Sequence, residues 1–177
     1  MQTSKQEVWL RGPVPGVIPE LQGIVHALLQ AREEVQELMG DFPSSLLWIR
    51  LGGLASPGFH LQHMRGVLDR LFTYARNEAL SEQQFMQLKQ EGINTHPALK
   101  KSDLLTLLLK QIDQAVDELK SIDQAVLFET RRVGRAGLPS TVMGLFVHAA
   151  EHTMRHLGQL LVTAKLIIHE HTHLRKQ

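Results

Sequence analysis

Phe146-Val147-His148-Ala149-Ala150-Glu151-His152-Thr153-Met154-Arg155-His156-Leu157-Gly158-Gln159 decides how this chain is read. Three histidines recur every fourth residue, a period that on a helix lines them along one side. Each step rises about 6 Å, so two adjacent imidazoles can turn onto one metal ion at about 2.0 to 2.1 Å. The outer two, about 12 Å apart along the axis, cannot easily share it. Val142, Leu145, Ala149, Leu160, Thr163 and Ile167 cluster on one side of the same helix, with His156 near their middle. His152 falls about 40° from His156 and His148 about 80° away, at the margin. The inward pair is therefore His152 and His156. Two buried imidazoles need partners for four ring nitrogens, which a mostly apolar interior supplies poorly and a shared metal supplies well.

Outward from this segment the helical period persists. The helix that carries it opens near Ser140 and runs to about His169, ahead of a polar tail over residues 170–177. A first helix reads from about Ile18 to Met39, with Leu21, Ile24, Val25, Leu28, Val35 and Leu38 at helical spacing, and Gly40, Asp41 and Pro43 stop it. Leu46 through Gly53 is apolar but short and closed by glycines, a packed connection. The second helix follows Ser56-Pro57-Gly58 and runs to about Arg76, burying Met64, Val67, Leu68, Leu71, Phe72 and Ala75. A short helix starts after Ser81, whose hydroxyl can cap it. The third long helix starts at a Ser102 cap and continues to about Leu119. A loop with Gly134, Gly137 and Pro139 leads into the last helix. Four long amphipathic helices and one short one, with no fixed repeat, predict an all-α four-helix bundle. The expected organisation is a single domain over residues 1–177, with residues 1–16 as an N-terminal extension.

Composition agrees. Among 177 residues, 43% are apolar but only 5% aromatic, and the leucine-rich apolar set favours helix. A net charge of +1, from 19 basic and 18 acidic residues, gives no excess to neutralise phosphates, so nucleic acid is not an expected partner. Arg131, Arg132 and Arg135 do gather in the glycine-containing loop. They read as a solvated loop, with an anion site as the alternative. No window approaches the ~18 apolar residues of a membrane span and no leader is evident, so the cytoplasm is the expected location. The chain has no cysteine, so any metal must be held by nitrogen and oxygen.

The remaining histidines sort by position. His26 and His96 stand alone, without a chelating neighbour, and are assigned to structure. His169, His171 and His173 alternate in the tail, a spacing that chelates only if the tail is extended, and they read as an unstructured terminus. Two ligands from one helix leave a metal under-coordinated, so a further donor should come from another helix. Phe59-His60-Leu61-Gln62-His63 is the other pair on a long helix. Periodicity puts His60 nearer the middle of the apolar side and His63 at its flank, and leaves the choice open. A di-iron bundle would need paired Glu-x-x-His motifs, and none occur.

Two stretches give the chain a resemblance to the DinB/YfiT-like family. One is Ser56 through His63 leading into Leu68-Asp69-Arg70-Leu71 and Thr73-Tyr74-Ala75, and the other is His148 through Gln159. The resemblance implies an up-down-down-up four-helix bundle with a three-histidine metal site, its ligands falling on His63, His152 and His156. Zinc or nickel is the implied metal, with water completing the shell, and a homodimer is implied as well. His60 and His148 then become residues of the surrounding shell or cavity, with Tyr74 and Gln159 as further polar candidates. Glu151 and Arg155 point about 60° or more away from His152 and read as surface residues. Three neutral imidazoles leave open positions on a metal, the arrangement that activates water or another nucleophile. Members that resemble this chain include thiol S-transferases that use a low-molecular-weight thiol and proteins regarded as metal-dependent hydrolases. The expectation is thus a metal-dependent enzyme acting on a small molecule. A non-catalytic, metal-stabilised bundle with a binding or stress-response role is the alternative, and a closed metal shell would mark it.

Overall fold

The computed structural model describes residues 6–94 and 99–174, with side chains as far as Thr172. Five helices form: α1 (Gln22–Gly40), α2 (Pro57–Ala75), α3 (Glu82–Gln90), α4 (Lys101–Ser121) and α5 (Val142–Leu174). Their starts follow local chemistry. Ser56 Oγ accepts the Phe59 amide ahead of α2, with Pro57 in the first turn where a missing N–H costs nothing. Ser81 and Gln84 form a reciprocal capping box at α3. At α4 the expected Ser102 cap gives way to Asp103, whose carboxylate accepts the Lys100 amide at 3.0 Å, so the helix begins two residues earlier.

The long helices, α1, α2, α4 and α5, make the bundle, with α1 and α2 each packed against both α4 and α5. Side-chain bonds at the ends fix their directions. Lys101, at the start of α4, donates to the carbonyls of Gly40 and Phe42 at the end of α1, so these two run antiparallel. Arg76, just past α2, pairs with Glu118 near the end of α4 at 2.8 Å, so α2 and α4 run parallel. Phe72 of α2 meets Phe146 at the start of α5 with ring centroids 4.9 Å apart, so that pair is antiparallel. The connectivity is up-down-down-up. Leu28, Leu68, Leu108, Ile112, Phe146 and Leu160 are among the side chains buried at its centre. Among the described residues, no helix is long and apolar enough to cross a membrane.

Two segments differ from the sequence reading. The loop before α5 is a β-hairpin, β1 (Thr130–Val133) paired antiparallel with β2 (Leu138–Thr141), with Val133 opposite Leu138. Gly134 and Gly137 both have positive φ, 67° and 60°, which makes the tight reversal between the strands accessible. At the other end, α5 continues through Leu174 instead of fraying near His169. His169 and His171 thus lie two apart on a helix, where they do not face each other, and the extended-tail chelate is not formed by them. His96, assigned to structure from the sequence, lies outside the described residues, as does the side chain of His173.

Candidate metal centre

The start of α2 is held close to the preceding connection. Gly58 donates to the Leu47 carbonyl at 2.8 Å, and a Cβ on Gly58 would sit 2.5 Å from the Trp48 indole, so only glycine allows this approach. That anchoring sets the rotation of the first two turns of α2, which carry His60 and His63. Because α5 runs antiparallel to α2, His156 comes opposite His60 and His152 opposite His63.

Nitrogen atoms of His63, His152 and His156 all lie within 4.8 Å of one another. His63 Nε2 and His152 Nε2 are 3.0 Å apart, close to the roughly 3.3 Å that separates two donors around a tetrahedral metal at about 2.0 to 2.1 Å. The other ring nitrogen of His63 is committed: its Nδ1 donates to Glu91 Oε2 at 2.6 Å. Glu91 in turn accepts from Arg70 at 2.7 Å, and its side chain is only 7% exposed. Phe59 stacks on the His63 ring, centroids 5.0 Å apart and 13° from parallel. On the other side, His156 Nδ1 meets His60 Nδ1 at 3.1 Å.

The proton inventory favours a cation at the convergence point. Burial, reinforced by the neighbouring His63, lowers the His156 pKa to about 3 and that of His60 to about 4. His152 is lowered as well, first by burial and then by His63 and His148. These imidazoles are neutral at neutral pH. With a proton on Nδ1 held by Glu91, the tautomer of His63 that leaves Nε2 bare aims a lone pair at His152 Nε2. Among the described residues, His152 Nδ1 is buried with no hydrogen-bond partner, and its Nε2 is the nitrogen that faces His63. Three converging imidazoles, two of them braced from behind, fit a divalent transition metal.

Of the other residues singled out from the sequence, His60 is buried and supports His156 instead of joining the triad. His148 is half exposed, with Nδ1 3.4 Å from the Glu151 carboxylate, and it lines the cavity beside the centre. Tyr74 lines the same cavity farther along α2. Gln159 is exposed and lines a separate groove next to His60. Glu151 and Arg155 are exposed and pair with each other. His26 bonds the Gly12 carbonyl at 3.1 Å, a structural contact. Glu91 was not singled out from the sequence, although Arg70, two turns after His63 on the same helix, hints that an acid must face it.

The cavity measures about 680 Å³ and opens from His63 and His152 along α2 toward α3 and the hairpin. Its walls are mainly apolar, with Val67, Leu71, Leu80, Phe85 and Leu88 prominent.

A family model described as the DinB superfamily matches residues 27–160, which include every residue of the histidine cluster. Among solved structures, the crystal structure of a Streptococcus pneumoniae protein is similar over 82% of this chain and 88% of that one. The two superpose with a TM-score of 0.60 at 15% identity, a likeness of fold. No curated protein matches the sequence significantly.

Proposed function

Because the chain belongs to the DinB superfamily, we propose that it is a divalent-metal-dependent enzyme in which His63, His152 and His156 hold the metal and the adjoining cavity receives a small-molecule substrate. The observation that carries this reading is that the converging histidines border a cavity of about 680 Å³, within the range of small-molecule sites. A purely structural metal site would be closed on all sides. Zinc or nickel suits a set of three imidazoles. When bound, such a metal supplies Lewis acidity that brings water or a thiol to its reactive, deprotonated form near neutral pH.

The chain's own residues perform the remaining tasks. Glu91 fixes the tautomer and the ring plane of His63, and Arg70 holds that carboxylate in place. His60 does the corresponding work for His156: with Nε2 of His156 turned toward the centre, its Nδ1–H donates to the neutral His60 Nδ1. Val67, Leu71 and Phe85 keep the space beside the centre apolar, which seats an apolar group and strengthens electrostatic interactions there. The chain has no cysteine, so a thiol nucleophile arrives as a low-molecular-weight cosubstrate. Thiol transfer and hydrolysis are the two reaction types this supports.

Elemental analysis of protein purified without an affinity tag tests the metal assignment. One equivalent of metal that is lost in a His152→Ala, His156→Ala double variant supports it, and metal content unchanged by that variant refutes it. Turnover of electrophiles with a panel of biological thiols, alongside esters and amides, tests the activity. Silence across the panel in fully metallated protein favours a binding role.

A further inference from the structure

We propose that the cavity beside the histidine centre takes an organic anion with an apolar body, its anionic end held by Arg132 and Arg135 of the β1–β2 hairpin and its other end beside His63 and His152. This deepens, and rests on, the reading of the cavity as a substrate site.

The cavity is elongated. From His63 to Tyr74 it follows about 16 Å of α2, at 1.5 Å per residue. The histidines stand at one end and the hairpin at the other. Between them the lining is apolar, so a ligand that fills the space presents carbon to the walls and keeps its polar chemistry for the ends.

At the hairpin end the charges are unequal in their commitments. Arg70 is already bonded to Glu91, and Glu78 is paired with Arg76 at 3.0 Å. Among the described residues, Arg132 donates to the Gly137 carbonyl alone, at 3.1 Å, which steadies its guanidinium across the turn. Arg135 lies over the Phe85 ring, 5.7 Å from its centroid, against the opposite wall of the cavity. Among the described residues, neither of these two arginines has a carboxylate within salt-bridge distance. The hairpin that presents them is clamped: Arg131 Nε donates to the Ala75 carbonyl at the end of α2 at 2.7 Å and pairs with Glu129 at 3.0 Å. Two positioned guanidinium groups beside an apolar wall, with neither neutralised by an acid, match a carboxylate or a phosphate at the end of a hydrocarbon or aromatic body.

Calorimetric titration of the untagged full chain with octanoate, octyl phosphate and octanol tests this. The three share one apolar body, and the first two separate a carboxylate from a phosphate. In the wild type at least one anion is expected to bind about tenfold or more tightly than octanol. In an Arg132→Ala, Arg135→Ala variant that preference falls to about twofold, with octanol binding unchanged. Both arginines are exposed, so the variant folds. Equal affinity for all three ligands, no binding of any, or a preference that survives the double variant would overturn the proposal. Each titration is repeated on chelator-treated protein. A preference that persists there belongs to the arginines, whereas one that vanishes with the metal places the anion on the metal and overturns the assignment. Failure of the metal centre itself would show in the metal content and leave the anion preference intact.

Discussion

Replacing Glu91 by glutamine tests how much of the histidine centre depends on a residue that lies behind His63, outside the converging triad. The carboxylate accepts from His63 Nδ1 at 2.6 Å with one oxygen and from Arg70 at 2.7 Å with the other. Glutamine keeps the shape but has one acceptor oxygen and one donor group. If the amide oxygen stays with Arg70, the NH2 faces His63 Nδ1, which must then accept, and the His63 proton moves to Nε2, where the lone pair is needed. If the amide is reversed, its NH2 faces the guanidinium. Either way one charge-assisted bond is lost in a nearly buried setting, a change of about 1.5 to 3 kcal/mol. Loss of such a supporting carboxylate lowers metal affinity about 10- to 100-fold, about 1.4 to 2.8 kcal/mol. Competition of zinc between the protein and a chromophoric chelator measures this directly, with circular dichroism to confirm that the variant is folded. Folded Glu91→Gln protein whose zinc affinity stays within about twofold of wild type would refute the idea that Glu91 sets the His63 tautomer.

A substitution one turn before Arg70 should reproduce part of that effect without altering a polar group. A Cβ on Gly66 runs into both the Arg70 guanidinium and the Glu91 carboxylate, so Gly66→Ala should displace the pair and weaken metal binding up to about tenfold, read in the same titration. The pH dependence of stability has a definite sign. His60 and His156 stay neutral in the folded chain down to about 4 and about 3, while the unfolded chain protonates them near 6.5. Between about pH 6.5 and 4 the unfolded state therefore holds more protons, and stability falls as the pH falls through that window. The urea midpoint of metal-free protein is expected to be lower at about pH 5 than at about pH 7.5, and a flat profile would contradict the burial of these rings in the apo state. In the core, Phe72→Ala removes a ring that is 2% exposed and packed on Phe146, and should cost about 3 to 5 kcal/mol by chemical denaturation. A loss under about 1 kcal/mol would mean that the two rings do not share a close-packed core.

Helical period carried the bundle and two of the three converging histidines, and its limits are instructive. His152 and His156 stood out because the apolar residues of their helix define a direction that both share. The same test, applied to Phe59 through His63, measures burial, and by that measure it was right about His60, which is almost wholly buried. Convergence with His152 and His156 is a different property. The nitrogen that meets theirs belongs to His63, whose less deeply buried ring reaches from the flank of α2 toward α5, and the family resemblance pointed there where periodicity could not. Glu91 was illegible for another reason. It follows a short polar helix with no buried residue of its own, and the contact that gives it a role spans 28 positions to His63. The hairpin strands are four residues each and bury no side chain fully, and only β1 alternates in burial, so turn residues were the main local signal. Arg132 and Arg135 looked like loop charges because nothing in their own segment reveals that the turn is clamped over a cavity.

The attachment of α3 gives the histidine centre a second consequence. This helix has no fully buried side chain, and it is tied to the rest of the chain largely through Gln84 to Asp69 and Thr73, through Gly92 to Gln62, and through Glu91 to Arg70 and His63. It also supplies Phe85 and Leu88 to the cavity wall. The carboxylate that braces His63 is thus one of the few fasteners of the wall against which a substrate would rest. If metal binding tightens the Glu91–His63 contact and so steadies α3, thermodynamic reciprocity requires that a ligand packed against α3 raises the affinity for metal by the same factor by which metal raises the affinity for that ligand. Amide exchange in Glu82–Gln90 becomes a gauge of metal occupancy, slowing as metal is added although no residue of that helix coordinates it.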